Sequence, residues 1–254
     1  MPAGSRRDTS GRSPKSGGGL IAFEGGEGAG KSSQIVLLAE TLRRAGRTVV
    51  VTHEPGATAV GRSIRRLLLD TDEPISARAE ALLFAADRAQ HVATVIRPAL
   101  ARGAVVITDR FVDSSLAYQG AGRTLTVADV RRLSRWATED LVPELTVLLD
   151  VPSEVGLARV HRRQAGPGSG PGNSSGNGLD RLERETVDFH DRVRAGFRSL
   201  AESEPNRYLV LDATRPVADL AAEISARVLA VLPEAADQAE PAASDVAEAG
   251  SDRI

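Results

Sequence analysis

Apolar positions along the 254-residue chain follow two alternating rhythms. Short unbroken runs of mainly Val, Leu and Ile fall at residues 20–23, 48–51, 104–108, 145–149 and 208–211, each bounded by turn or cap residues. A run of that kind reads as a strand buried on both faces. Between the runs, apolar residues recur three and four apart, as Ile35, Leu38 and Leu42 do within 33–45 before Gly46 supplies a helix stop. Strand alternating with helix predicts a doubly wound α/β fold, five parallel strands flanked by helices, in one domain over 20–232.

Three segments break this rhythm. Residues 1–19 set Arg6, Arg7, Arg12 and Lys15 among Ser, Gly and Pro without the apolar centre of a secretory signal, and are expected to be a disordered extension. Residues 165–178 read AGPGSGPGNSSGNG, too polar and glycine-rich to order themselves by burial, and are expected to form a mobile loop. Residues 233–254 carry six acidic residues and one arginine and are expected to be a solvated, disordered tail.

Composition narrows the function. A net charge of −2 and a pI near 6.1 leave no basic field for nucleic acid, so a small-molecule substrate is expected. The absence of cysteine excludes disulfides, thiolate metal sites and a cysteine nucleophile. No apolar run approaches the ~20 residues of a membrane-spanning helix, and a cytoplasmic protein without a membrane partner is expected.

Gly25-Gly26-Glu27-Gly28-Ala29-Gly30-Lys31-Ser32 follows the first strand and opens a helix, the context of the phosphate-binding pattern G-x-x-x-x-G-K-[ST]. Backbone amides and a helix N-terminus favour phosphate, Lys31 reaches the β- and γ-phosphates, and Ser32, with Ser33 after it, completes the loop and offers a magnesium ligand. Lys31 and Lys15 are the only lysines among 32 basic residues, so the compact ammonium is kept here where arginine serves elsewhere. Neither lysine belongs to the Asn-Lys-x-Asp signature of guanine readers, which favours ATP. A second signature ends the third run, where Asp109-Arg110 sets a carboxylate that can hold magnesium beside a guanidinium that can grip phosphate. On its own this pair reads equally as a surface ion pair.

Asp109-Arg110-Phe111-x-x-Ser114-x-x-Ala117-Tyr118-Gln119 resembles the DR[YFH]-x-x-S-x-x-AYQ stretch of thymidylate kinases. The Glu24–Ser32 loop, Glu54-Pro55-Gly56-x-Thr58, Leu82-Leu83-Phe84-Ala85-Ala86-x-Arg88 and Asp180-Arg181-x-Glu183 follow in family order. This resemblance implies the fold of P-loop nucleoside monophosphate kinases with a lid at about 156–184, and transfer of the γ-phosphate of ATP to dTMP with Mg2+. It implies that Phe84 stacks on thymine, Arg88 bonds its exocyclic oxygen and Gln119 sits near the base edge. Arg110 would hold the acceptor phosphate, Glu27 would face the 3′-hydroxyl and Tyr118 would pack on the sugar. Glu54, Arg65 and Ser114 would complete the acceptor site, and Asp109 would join Ser32 as a metal ligand.

Gly28 stands where some members of the family place an arginine, so the charge at the transferred phosphoryl is expected from the lid, with Arg159 and Arg163 as candidates and Arg162, Arg181 and Arg184 around them. Core packing is the alternative for Phe84 and Tyr118, and a solvated helix face for Arg65 and the lid arginines. His53 and Ala57 depart from a usual arginine and glycine. The resemblance also implies a homodimer, to which the apolar stretch 92–100 is a candidate contributor. Another P-loop kinase, or a P-loop ATPase or regulator with no acceptor, would use the same phosphate loop.

Overall fold

The computed structural model describes residues 17–122, 125–165 and 179–233. Of the expected extension at 1–19, loop at 165–178 and tail at 233–254, residues 1–16, 166–178 and 234–254 lie outside the described residues, while Gly19 opens β1 and Ala165 ends α7 rather than belonging to unstructured segments. In chain order the elements are β1 (Gly19–Glu24), α1 (Lys31–Arg44), β2 (Val49–His53), α2 (Ala59–Leu69) and α3 (Ala77–His91), then α4 (Arg97–Ala101), β3 (Val105–Asp109) and α5 (Val112–Ser115). There follow α6 (Val127–Thr138), β4 (Leu145–Asp150), α7 (Ser153–Ala165), α8 (Val187–Ser203), β5 (Tyr208–Asp212) and α9 (Val217–Val231). The five strands form one parallel sheet in the order β2-β3-β1-β4-β5.

Helices cover both faces, which is why the strands are continuous apolar runs rather than alternating ones. Along β1, Ile21 and Phe23 pack against α1 and α9 through Ile35, Leu38, Leu42, Leu220, Ile224 and Val228. Leu20 and Ala22 point the other way, into a cluster with Val92, Ile96, Leu100, Val106 and Phe111. A second cluster on that side joins Ile64, Leu68, Phe84, Tyr118, Phe189, Val193 and Phe197.

Two helices carry π-helical segments, Val92–Ile96 between α3 and α4 and Leu116–Ala121 after α5. Within the stretch 92–100, Val92, Ile96, Ala99 and Leu100 are buried in the domain's own core, while Ala93 is exposed and Val95 and Pro98 are half-buried. Between α1 and β2, Arg47 donates to the carbonyls of Gly17 (2.7 Å) and Pro233 (2.6 Å), holding the two ends of the described domain together.

Register places the chemistry. Phe23 and His53 both pair with Asp109, so the ends of β1, β2 and β3 are level, and the phosphate loop, the Asp109-Arg110 turn and the Glu54-Pro55-Gly56 turn leave one edge of the sheet together. Ligands of open α/β sheets bind at this carboxyl edge.

Candidate active site

The phosphate loop bends from β1 into α1 through Gly28 and Gly30, with φ of 65° and 92°. Gly28 is fixed by approach as well as by torsion, because a Cβ there would lie 2.1 Å from the Gly156 carbonyl oxygen in the first turn of α7. Reciprocally, a Cβ on Gly156 would meet the Glu27 carbonyl oxygen at 2.2 Å. Loop and helix therefore touch backbone to backbone. Arg159, one turn further along α7, donates to the carbonyls of Gly28 (3.3 Å) and Ala213 (3.2 Å) and ties the loop to the end of β5.

Lys31 is buried and its ammonium donates to the Gly25 and Gly26 carbonyls, both at 3.0 Å. Burial, then the neighbouring Arg110 charge, pull its pKa below the usual lysine value. Ser32 donates to Asp109 Oδ2 at 3.3 Å, bringing together the two residues expected at the metal. Ser33 beside them is exposed. Both donors are oxygens, the type a hard divalent cation takes, and magnesium commonly uses one or two protein ligands and completes its shell with phosphate and water. No cluster of three or more metal-ligating side chains occurs among the described residues, so a metal caged by protein alone does not fit.

Arg110 sits at φ 70°, a left-handed conformation unusual for a side chain of this size. Its backbone N–H donates to Phe23 and its carbonyl accepts from Thr108 Oγ1. The guanidinium donates to the Gly25 carbonyl (3.2 Å), Ser114 Oγ (3.2 Å) and Glu27 Oε1, and lies 5.0 Å over the Tyr118 ring. Tyr118 donates to the same Glu27 oxygen at 2.8 Å. Burial works against an ionised Glu27, but the charges of Arg110 and Lys31 outweigh it and hold the carboxyl down to about 2. Burial pushes the Tyr118 phenol well up, so it stays a hydrogen-bond donor.

Arg88, at 2% exposure, uses all three nitrogens on buried partners: Nε to Glu54 Oε2 (2.7 Å), Nη1 to Ser115 Oγ (3.1 Å) and Nη2 to the Phe111 carbonyl (3.0 Å). Glu54 also meets His91 Nδ1 at 2.9 Å. Phe84 shares a core cluster with Tyr118, and Gln119 donates to Glu80 at 3.0 Å. Glu80 in turn receives Arg181, whose backbone and Nε are held by the Leu69 and Leu68 carbonyls. Arg65 donates to the Pro55 carbonyl at 3.1 Å. Phe84, Tyr118, Arg110, Glu27 and Lys31 thus form one connected series, and Arg88 joins it at Phe111.

The lid arginines separate into two groups. Arg162 and Arg163 are exposed on the last turn of α7. Arg181 and Arg184 pair with Glu80 and Asp72, which anchors the 179–184 segment to α2 and α3 rather than to the phosphate loop.

Thymidylate kinase is the family whose model matches residues 23–224. The chain belongs to the thymidylate kinase family. The thymidylate kinases of Leifsonia xyli subsp. xyli and Clavibacter sepedonicus are 52% and 51% identical over 209 and 210 residues, covering 82% and 83% of this chain and 93% and 94% of theirs. The crystal structure of thymidylate kinase from Ehrlichia chaffeensis superposes with a TM-score of 0.64 at 30% identity, covering 84% of this chain and 99% of that one.

The thymidylate kinase motifs left several buried polar residues unmarked. Asp87, the unspecified position between Phe84 and Arg88, accepts from the Gly56 N–H (3.0 Å) and fixes the turn after the cis Glu54–Pro55 peptide. Burial, then the nearby Glu54, raise its carboxyl to about 6. Asp113 on α5 pairs with Arg207, which precedes β5. His190 on α8 lines a pocket of about 10 Å³ with Gly26, Glu27, Ser153 and Arg194, and its buried Nε2 has no partner among the described residues. Glu24, at the end of β1, accepts three hydrogen bonds from the segment after Arg110. Each of these pairs joins residues far apart in sequence. Glu24 does open the phosphate-loop stretch that resembles the family, but that stretch gives its side chain no role.

Proposed function

We propose that the chain transfers the γ-phosphoryl group of ATP to dTMP, giving dTDP and ADP. One observation carries the reading: the Lys31 ammonium and the Arg110 guanidinium converge on the same carbonyl oxygen, that of Gly25, at 3.0 and 3.2 Å. Two cations that close suit two anionic groups set end to end, a donor phosphate and an acceptor phosphate.

The nucleophile is an oxygen of the dTMP phosphate, already anionic at neutral pH, so no general base is needed. That oxygen bonds to the γ-phosphorus as the bond to the β,γ-bridging oxygen breaks and ADP leaves. Catalysis then rests on alignment and charge placement. Lys31 and the amides of 25–32 bind the donor phosphates, exchanging the ammonium's carbonyl partners for phosphate oxygens. Arg110 grips the acceptor phosphate, steadied by Ser114. Ionised Glu27 can only accept, which suits the sugar 3′-hydroxyl. Tyr118 bounds the sugar, Phe84 stacks on the base, and Arg88, oriented by Glu54, has N–H groups left for a base oxygen. Gln119 lies beside that base edge, and Arg65 supports the Pro55 turn facing the acceptor. Ser32 and Asp109 would hold Mg2+, which supplies neutralisation of the β- and γ-phosphate charge. Arg163, exposed at the end of α7, supplies the remaining positive charge, while Arg159 acts from its place beside Gly28.

The reading extends to a homodimer, supported by large apolar side chains left exposed on consecutively packed helices: Leu67 on α2, Leu82 on α3 and Trp136 on α6. Light scattering after gel filtration tests it, and a monomer at micromolar concentration refutes it. A cytoplasmic setting follows from two intracellular nucleotide substrates; no helix among the described residues is long and apolar enough to cross a membrane. The acceptor is tested by ADP release with a panel of dTMP, dUMP, dCMP, UMP and AMP. Turnover requiring dTMP supports the assignment, whereas equal or faster turnover of dCMP or UMP, or ADP release without an acceptor, overturns it.

A further inference from the structure

Arg110 holds a left-handed backbone conformation that its side chain does not favour, so its surroundings must impose it. Two of the restraints act on the Arg110 backbone itself, the Phe23 carbonyl and Thr108. The third comes from Glu24, which is fully buried. Glu24 Oε1 accepts from the backbone N–H groups of Phe111 (2.9 Å) and Ser114 (3.1 Å), and Oε2 accepts from the Ser114 hydroxyl (2.6 Å). Ser114 Oγ in turn accepts from Arg110 Nη1.

These bonds satisfy two N–H groups at the start of α5, those of Phe111 before it and Ser114 within it, where Phe111 offers no capping side chain of its own. An ordinary cap comes from the residue before the helix. Here it comes from the central strand, one residue before the phosphate loop begins at Gly25. A single carboxylate therefore joins the strand that presents the donor loop to the turn that presents Arg110.

We propose that Glu24 is a positioning residue for phosphoryl transfer, setting Arg110 in register with the phosphate loop through Phe111 and Ser114. The inference rests on Arg110 binding the acceptor phosphate. Glu24 touches no substrate itself. Its effect falls on the acceptor side, because all its side-chain partners lie in 111–114, while the amides of 25–32 form the donor site.

The test is steady-state kinetics on the full chain with each substrate varied separately. In Glu24→Ala, kcat/KM for dTMP falls on the order of a hundredfold, the effect of a misplacement near 1 Å, while KM for ATP changes by less than about threefold. Glu24→Gln keeps an oxygen for both N–H groups and turns its amide toward Ser114, so it restores kcat/KM to within about fivefold of wild type. Should Glu24→Ala fail to fold, Ser114→Ala removes the one hydroxyl that bridges Glu24 to Arg110 while leaving both backbone N–H bonds to Glu24, and KM for dTMP rises about tenfold with KM for ATP unmoved. The proposal is overturned if Glu24→Ala, or Ser114→Ala in its place, leaves dTMP kinetics unchanged, or if both KM values shift together. It is equally overturned if Gln is as poor as Ala, since the role would then be one of charge. Arg110→Ala separates the two layers: an unchanged KM for dTMP there removes the acceptor role of Arg110 and this inference with it. A raised KM there beside silent Glu24 variants removes this inference alone.

Discussion

Replacing Arg88 by methionine tests whether the buried cluster around Glu54 is a fixed electrostatic unit. Arg88 and Glu54 are 2% and 5% exposed, and the guanidinium is also the donor to Ser115 Oγ and the Phe111 carbonyl. Methionine fills much of the volume but leaves Glu54 with His91 alone. Stranding one member of a buried ion pair costs about 3–5 kcal/mol, and two acceptors without donors add about 1 kcal/mol each. Apolar burial of the methionine offsets about 1–2 kcal/mol, so a net loss of about 4 kcal/mol is expected. For a domain of this size that lowers Tm by roughly 8–16 °C. Urea unfolding at neutral pH, followed by circular dichroism, measures it. Glu54→Gln with Arg88→Met removes the stranded charge, and the combined loss should shrink to about 2 kcal/mol. A single-variant loss below about 1 kcal/mol would refute the reasoning, because Glu54 would then have a source of compensation other than Arg88.

Arg163→Ala should lower kcat at least a hundredfold if its charge meets the transferred phosphoryl; unchanged turnover removes it from the mechanism. Gly156→Ala adds a Cβ 2.2 Å from the Glu27 carbonyl. The helix gains about 1 kcal/mol of propensity against an overpacking cost of about 1–3 kcal/mol, so thermal stability should fall slightly while kcat/KM for ATP drops more than tenfold, and wild-type kinetics would show that the loop yields without consequence. Burial, then Asp113, push the Glu24 carboxyl up to about 7 against the partial relief of Ser114 and Arg110. The folded chain therefore binds that proton more tightly than the unfolded one. The associated stability is present below pH 4.5 and is lost as pH rises through 7, amounting to roughly 3 kcal/mol. Glu24→Gln should remove this slope in urea titrations between pH 5 and 8, and parallel wild-type and variant profiles would contradict it.

The five strands were legible because burial on both faces leaves an unbroken apolar run. Each nevertheless continues past the run to a polar residue: Glu24, His53, Asp109, Asp150 and Asp212. The backbone ladder does not depend on the side chain, and at the carboxyl edge these side chains bond the segments around them, Glu24 to 111–114, Asp150 to Arg194 and Asp212 to Thr214. Apolarity therefore ends before pairing does, at the positions that matter for chemistry. The phosphate loop and the Asp109-Arg110 turn were legible because their spacing is local. Glu54 was marked for the acceptor site, yet its carboxylate is committed to Arg88 and His91, 34 and 37 residues away. The anchoring of Arg181 on Glu80 spans 101 residues and left no local trace. Charge alone could not separate the arginines anchored to α2 and α3 from the exposed ones on α7.

The Arg47 clamp has a practical corollary. Gly17 and Pro233 are gripped by one guanidinium at the amino edge of the sheet, opposite the nucleotide cleft. Tethering the enzyme to a surface, or fusing a reporter, at either end should leave the working edge unobstructed. A short peptide splice between these two residues, with new termini opened in a surface turn elsewhere, should give a permuted chain that still folds.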